Sequence, residues 1–210
     1  MQEQKQGAFI VFEGIDGSGK STQIQLLKDR LTQMGVSFYS TFEPTDSPIG
    51  SLIHQIFTGR ILSDNKVVAA LFAADRLDHL LNPTNGIYAK VKSGVTVISD
   101  RYYFSSYAYH SVDMPMDWVV TANAPCAELL RPTVTVFIDV DPEDAIGRIA
   151  KTRSQLELFE TRERLVSVRE KYFEAIEKQR GRENVLIVDG GKDKDALADE
   201  IWEKIGGYFL

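Results

Sequence analysis

Eight residues, Gly14-Ile15-Asp16-Gly17-Ser18-Gly19-Lys20-Ser21, spell G-x-x-x-x-G-K-S between an apolar run and an amphipathic segment. The run before them, Ala8–Glu13 (AFIVFE), is rich in β-formers and reads as a buried strand. The segment after them, Gln23–Met34, places Ile24, Leu27, Leu31 and Met34 at helical spacing, with Gly35 closing the helix. Strand, glycine loop and helix in that order form a phosphate-binding loop. Its glycines let several backbone N–H groups converge on one anion, and the helix N-terminus that follows adds partial positive charge. The loop and the adjoining Thr22 therefore predict a nucleoside triphosphate site. Lys20 can reach its β- and γ-phosphates, and the Ser21 hydroxyl can ligate Mg²⁺. Asp16 is awkward there, because a carboxylate facing phosphates repels them. It is expected to turn toward solvent or toward a second ligand, or to serve only the turn.

The rest of the chain repeats the alternation. Val36–Phe42, Val95–Ser99, Val134–Val140 and Val185–Val188 read as further strands. Helical patterns cover Pro48–Phe57, Lys66–Leu81, Tyr102–His110, Met116–Ala122 and Ala196–Ile205. Pro142-Glu143 starts a helix after the fourth strand, and another long helix lies between the charged stretch Lys151–Glu163 and Gly181. Five apolar strands alternating with helices predict an α/β three-layer sandwich, with a parallel sheet covered on both faces. A length of 210 residues suits one domain, 1–210. In such sheets ligands gather at the carboxyl ends of the strands. The third strand ends in Ser99-Asp100-Arg101-Tyr102, where Asp100 suits Mg²⁺ and Arg101 offers a planar fork for a phosphate. Ser105, Ser106, Tyr107 and Tyr109 follow as a hydroxyl- and aromatic-rich face that suits a base or sugar pocket, or simply core.

Several classes drop out. A net charge of -6 argues against broad nucleic-acid binding. No run approaches the ~18 apolar residues of a membrane span, and the polar N-terminus lacks a signal peptide's apolar core. The single cysteine, Cys126, cannot form an intrachain disulfide and reads as a small buried hydrophobe in a cytoplasmic protein. Asn65-Lys66 is followed by Val67-Val68, so the guanine-reading N-K-x-D of switch GTPases is missing.

Phe12–Thr22, Glu43-Pro44-Thr45, Leu71–Arg76 (LFAADR) and Asp100-Arg101-Tyr102 together, in that order, resemble the thymidylate kinase family. The resemblance implies a P-loop NTPase fold, transfer of a phosphoryl group from Mg-ATP to dTMP, and a homodimer. It implies that Phe72 stacks on thymine, Arg76 bonds a base carbonyl, Arg101 holds the dTMP phosphate and Asp16 bonds the sugar 3′-hydroxyl. Tyr109 would lie against C2′, and Ser106 stands where some relatives carry a base-reading Asn. A short lid, about 148–162, would bring Arg148 over the adenine, with Arg153 the candidate transfer-stabilising cation. Two departures stand out: Phe42 replaces an arginine common in bacterial members, and Glu157–Glu160 (ELFE) lacks a lid arginine. The remaining alternatives are a kinase of deoxynucleosides or other monophosphates, and a P-loop ATPase switch acting on a protein.

Overall fold

The structure, a computed structural model, describes residues 6–152 and 161–209. Five strands form one sheet: β1 (Phe9–Glu13), β2 (Phe38–Phe42), β3 (Thr96–Asp100), β4 (Val134–Asp139) and β5 (Val185–Asp189). Every pairing is parallel and the order is β2-β3-β1-β4-β5. The helices are α1 (Lys20–Gln33), α2 (Pro48–Phe57), α3 (Asn65–Leu81), α4 (Ile87–Lys92), α5 (Tyr103–His110), α6 (Met116–Leu129), α7 (Pro142–Thr152), α8 (Arg162–Lys178) and α9 (Lys194–Ile205). A 3₁₀ turn, Gly206–Phe209, follows α9.

The central strand shows how both faces become core. Along β1, Phe9 and Val11 join one apolar cluster while Ile10 and Phe12 join the other, as a period of two requires. The first cluster takes in Tyr103 and Tyr107 of α5, Val119 of α6 and Leu165, Val168 and Tyr172 of α8. The second is covered by Ile24, Leu27 and Leu31 of α1 with Leu197, Ile201 and Ile205 of α9. Cys126 is fully buried in the first cluster.

From β1 the chain builds outward to β3 and β2 on one side and to β4 and β5 on the other. A crevice therefore opens at the carboxyl ends of β1 and β3, where the register pairs Phe12 with Asp100. Two elements differ from the sequence expectation. Helix α6 runs on past Ala122 and through Pro125, which local chemistry reads as a stop. The short α4, between Gly86 and Gly94, offers too few turns to show a period. Among the described residues no helix is long and apolar enough to cross a membrane.

Candidate active site

Between β1 and α1 the backbone takes left-handed values at Gly17 (φ +77°) and Gly19 (φ +95°). Gly19 caps α1 with no side-chain hydrogen bond to its first amides, so that helix end is left for an anion. At Gly17 an added Cβ would run into the carbonyl of Ala145 on α7. Gly17→Ala is therefore expected to cost about 1–3 kcal/mol of stability and at least ~10-fold in nucleotide affinity. Thermal melting and titration calorimetry would check it, and unchanged binding would show that the loop tolerates the side chain.

Lys20 is buried with its Nζ 3.0 Å from the carbonyls of Gly14 and Ile15 and 3.5 Å from Ser18 Oγ. Burial, with the charge of Arg101, pushes its ammonium down to about 8. The Ser21 hydroxyl donates to Asp100 Oδ2 at 3.2 Å, which joins the start of α1 to the end of β3. Asp100 Oδ1 is buried without a hydrogen-bond partner. A hydroxyl and a single carboxylate with one unclaimed oxygen are the oxygen donors a Mg²⁺ bound mainly through phosphates would use, so the residues fit that ion.

Arg101 follows β3 with φ 73°, a backbone conformation rare for a residue other than glycine. Its Nη1 donates to Gly14 O (3.2 Å), Ser105 Oγ (3.0 Å) and Tyr172 Oη (3.4 Å). Its Nη2 pairs with the Asp16 carboxylate and reaches Tyr109 Oη at 3.3 Å. The Tyr109 hydroxyl in turn donates to Asp16 Oδ2 at 2.7 Å. Burial alone would raise the Asp16 pKa, yet the charges of Arg101 and Lys20 hold it below the usual carboxylate range. The carboxylate that looked misplaced in a phosphate loop is thus turned onto Arg101 and Tyr109. These three residues come from the β1 loop, the end of β3 and α5.

Across the crevice, Arg76 of α3 is 1% exposed. Its Nε donates to Glu43 Oε2 at 2.7 Å, its Nη1 to Ser106 Oγ at 3.1 Å and to Asn123 Oδ1, and its Nη2 to Tyr102 O at 3.2 Å. His79 Nδ1 lies 3.0 Å from the other Glu43 oxygen. The ion-pair partner is therefore Glu43, not the neighbouring Asp75 or Asp78; Asp75 instead accepts from Thr45 and Ser47. Half-buried Phe72 has its ring 5.8 Å from that of Phe57 and 5.1 Å from that of His110. Phe42 ends β2 with its side chain half exposed.

Burial, with the charges of Arg76 and Arg164, pushes the partly buried His110 down to about 3 against the opposing pull of Asp113. A folded-state value below the unfolded 6.5 means the unfolded chain binds the extra proton first. This contribution is intact above pH 6.5 and is lost as pH falls toward 3. Between pH 7 and pH 5 it removes about 1–2 kcal/mol of stability. His110→Gln is expected to flatten that decline, as read by chemical denaturation at the two pH values; an unchanged slope would assign acid sensitivity elsewhere.

Arg148 of α7 donates to Ser18 O (3.4 Å) and Gly190 O (2.8 Å) on the outer side of the loop. Arg153 lies outside the described residues, as does most of the expected lid. Glu13, Glu43, His79, Asn123 and Tyr172 join the site with no role expected of them from sequence. Glu13 closes an apolar strand just as Asp100 does, so that signal was available; Tyr172 has no local signal at all.

A family model described as Thymidylate kinase matches residues 12–201. A probable thymidylate kinase of Methanocaldococcus jannaschii is 36% identical over 201 residues, covering 95% of this chain and 94% of that protein. One of Pyrobaculum calidifontis is 37% identical over 195 residues, covering 92% and 93%. A thymidylate kinase of Leptospira borgpetersenii is 31% identical over 195 residues, covering 93% and 91%.

Proposed function

The chain belongs to the thymidylate kinase family, and from that membership we infer that it transfers the γ-phosphoryl group of ATP to dTMP, giving dTDP and ADP. The observation that carries the site assignment is the hydrogen-bonded cluster of Asp16, Arg101 and Tyr109 beside Lys20. It sits where a donor held by the loop and an acceptor held by α3 and α5 would meet.

Gly14–Thr22 would cradle the ATP phosphates, with Lys20 exchanging the carbonyls of Gly14 and Ile15 for phosphate oxygens. Ser21 and Asp100 would hold the Mg²⁺, which when bound neutralises charge on the phosphates. Arg148 would flank the adenine. On the acceptor side, Phe72 would stack on thymine and Arg76 would bond a base carbonyl. The Ser106 hydroxyl, now bonded to Arg76, would face the same ring edge. Asp16 would take the 3′-hydroxyl and Tyr109 would exclude a 2′-hydroxyl by bulk. Arg101 would hold the dTMP phosphate, and Arg153 would be the further cation.

The acceptor is already an anion, so no strong general base is needed. Alignment and charge neutralisation carry the rate. The same reading has the chain as one cytoplasmic domain that works as a homodimer and binds no nucleic acid.

A coupled ADP-release assay with dTMP, thymidine, dUMP, UMP and dCMP tests this. Release dependent on dTMP is expected. ADP formation with thymidine alone would make it a nucleoside kinase, and formation without any acceptor would point to an ATPase switch.

A further inference from the structure

Behind the loop, four donors converge on the Glu13 carboxylate, which is 1% exposed. Its Oε1 accepts from the amides of Tyr102 (2.8 Å) and Ser105 (3.1 Å), and its Oε2 from Ser105 Oγ (2.6 Å) and Tyr172 Oη (2.8 Å). The two hydroxyl oxygens are also 2.9 Å from each other. Ser105 and Tyr172 own one hydroxyl proton each. Once both are given to the carboxylate, only lone pairs remain to face their common neighbour, Arg101 Nη1, at 3.0 and 3.4 Å. A guanidinium only donates, so this polarity suits it. Burial and the Glu13 charge keep the Tyr172 phenol protonated and able to donate. Arg101 needs such support, because its left-handed backbone is held only by its surroundings.

We propose that Tyr172 of α8 is a positioning residue for phosphoryl transfer: its hydroxyl, oriented by Glu13 and seconded by Ser105, fixes the Nη1 edge of Arg101. The Nη2 edge, which now rests on Asp16 and Tyr109, is thereby presented to the acceptor phosphate. This deepens the dTMP kinase reading and rests on it.

Tyr172→Phe removes the hydroxyl and keeps the ring packing against Phe137 (4.9 Å between centroids). It is expected to lower kcat about 10-fold with little change in KM for ATP and a melting midpoint within about 4 °C of wild type. The deciding measurement is a double-mutant cycle. In an Arg101→Lys background the same substitution should change kcat less than about 2-fold, since its effect runs through the guanidinium. Ser105→Ala, which leaves α8 untouched, should show the same non-additivity and covers the case in which Tyr172→Phe folds poorly. Equal losses in both backgrounds, or a wild-type kcat in Tyr172→Phe, would overturn the positioning role. Wild-type enzyme assayed alongside separates the two readings: ADP release indifferent to dTMP would sink the kinase reading and this one with it, whereas additivity in an active enzyme overturns this one alone.

Discussion

Lys20→Met is expected to lower turnover by about 10³-fold, roughly 4 kcal/mol of barrier, while the protein stays folded. The buried ammonium lies 3.0 Å from two loop carbonyls, where no other side chain of the loop carries positive charge. Gly17-Ser18, on the other arm of the loop, supply no second cation. Lys20 therefore carries more of the neutralisation on the donor side. Methionine fills similar space, and the loss of three hydrogen bonds is partly offset by removing a charge from a buried site. The melting midpoint should consequently move by only a few degrees. Turnover at saturating ATP and dTMP, measured by ADP release, is the check. A variant as fast as wild type would remove Lys20 from the mechanism.

What local sequence conveys about this chain follows from how far each signal reaches. The phosphate loop is contiguous, so its strand, glycines and helix were legible together. The inner strands β1, β3 and β4 were legible because both of their faces are buried and each is then a short apolar run. The edge strands β2 and β5 are only partly buried and were marked by β-forming residues between breaks. Asp100 and Arg101 could be singled out because strand ends are where such sheets bind ligands. The support behind them was not. Glu13 and Tyr172 are 159 positions apart, and nothing around Tyr172 distinguishes it from any core aromatic on a helix. Similarly, Arg76 has acidic residues close by in Asp75 and Asp78, yet the tertiary fold pairs it with Glu43 across 33 positions. Asp16 shows the converse: its oddity was visible, but its partners on β3 and α5 depend on the sheet order. Helix α6 continues through Pro125 because its Val119, Cys126 and Ala127 pack into the core, and tertiary burial outweighs the local penalty.

Arg76→Met is expected to be the most destabilising single change, costing about 3–5 kcal/mol, because it strands a buried carboxylate. Among the described residues Glu43 would keep the side chain of His79 alone, and Ser106 Oγ and Asn123 Oδ1 would each lose a donor. Pairing it with Glu43→Gln removes the orphaned charge, so the double variant should recover about half of the loss or more. Chemical denaturation of both variants measures this directly, and a single variant within about 1 kcal/mol of wild type would mean the pair is not structural. The same two proteins separate stability from recognition. Neither has a guanidinium to meet the base, so KM for dTMP should rise about 30- to 100-fold in both, the cost of one lost charged hydrogen bond. KM for ATP should stay put, since Arg76 contacts nothing in the phosphate loop in this structure. If the double variant regained both its stability and its wild-type KM for dTMP, Arg76 would be a buried strut with no hand in the base. A stable double variant that still fails to bind dTMP makes it both.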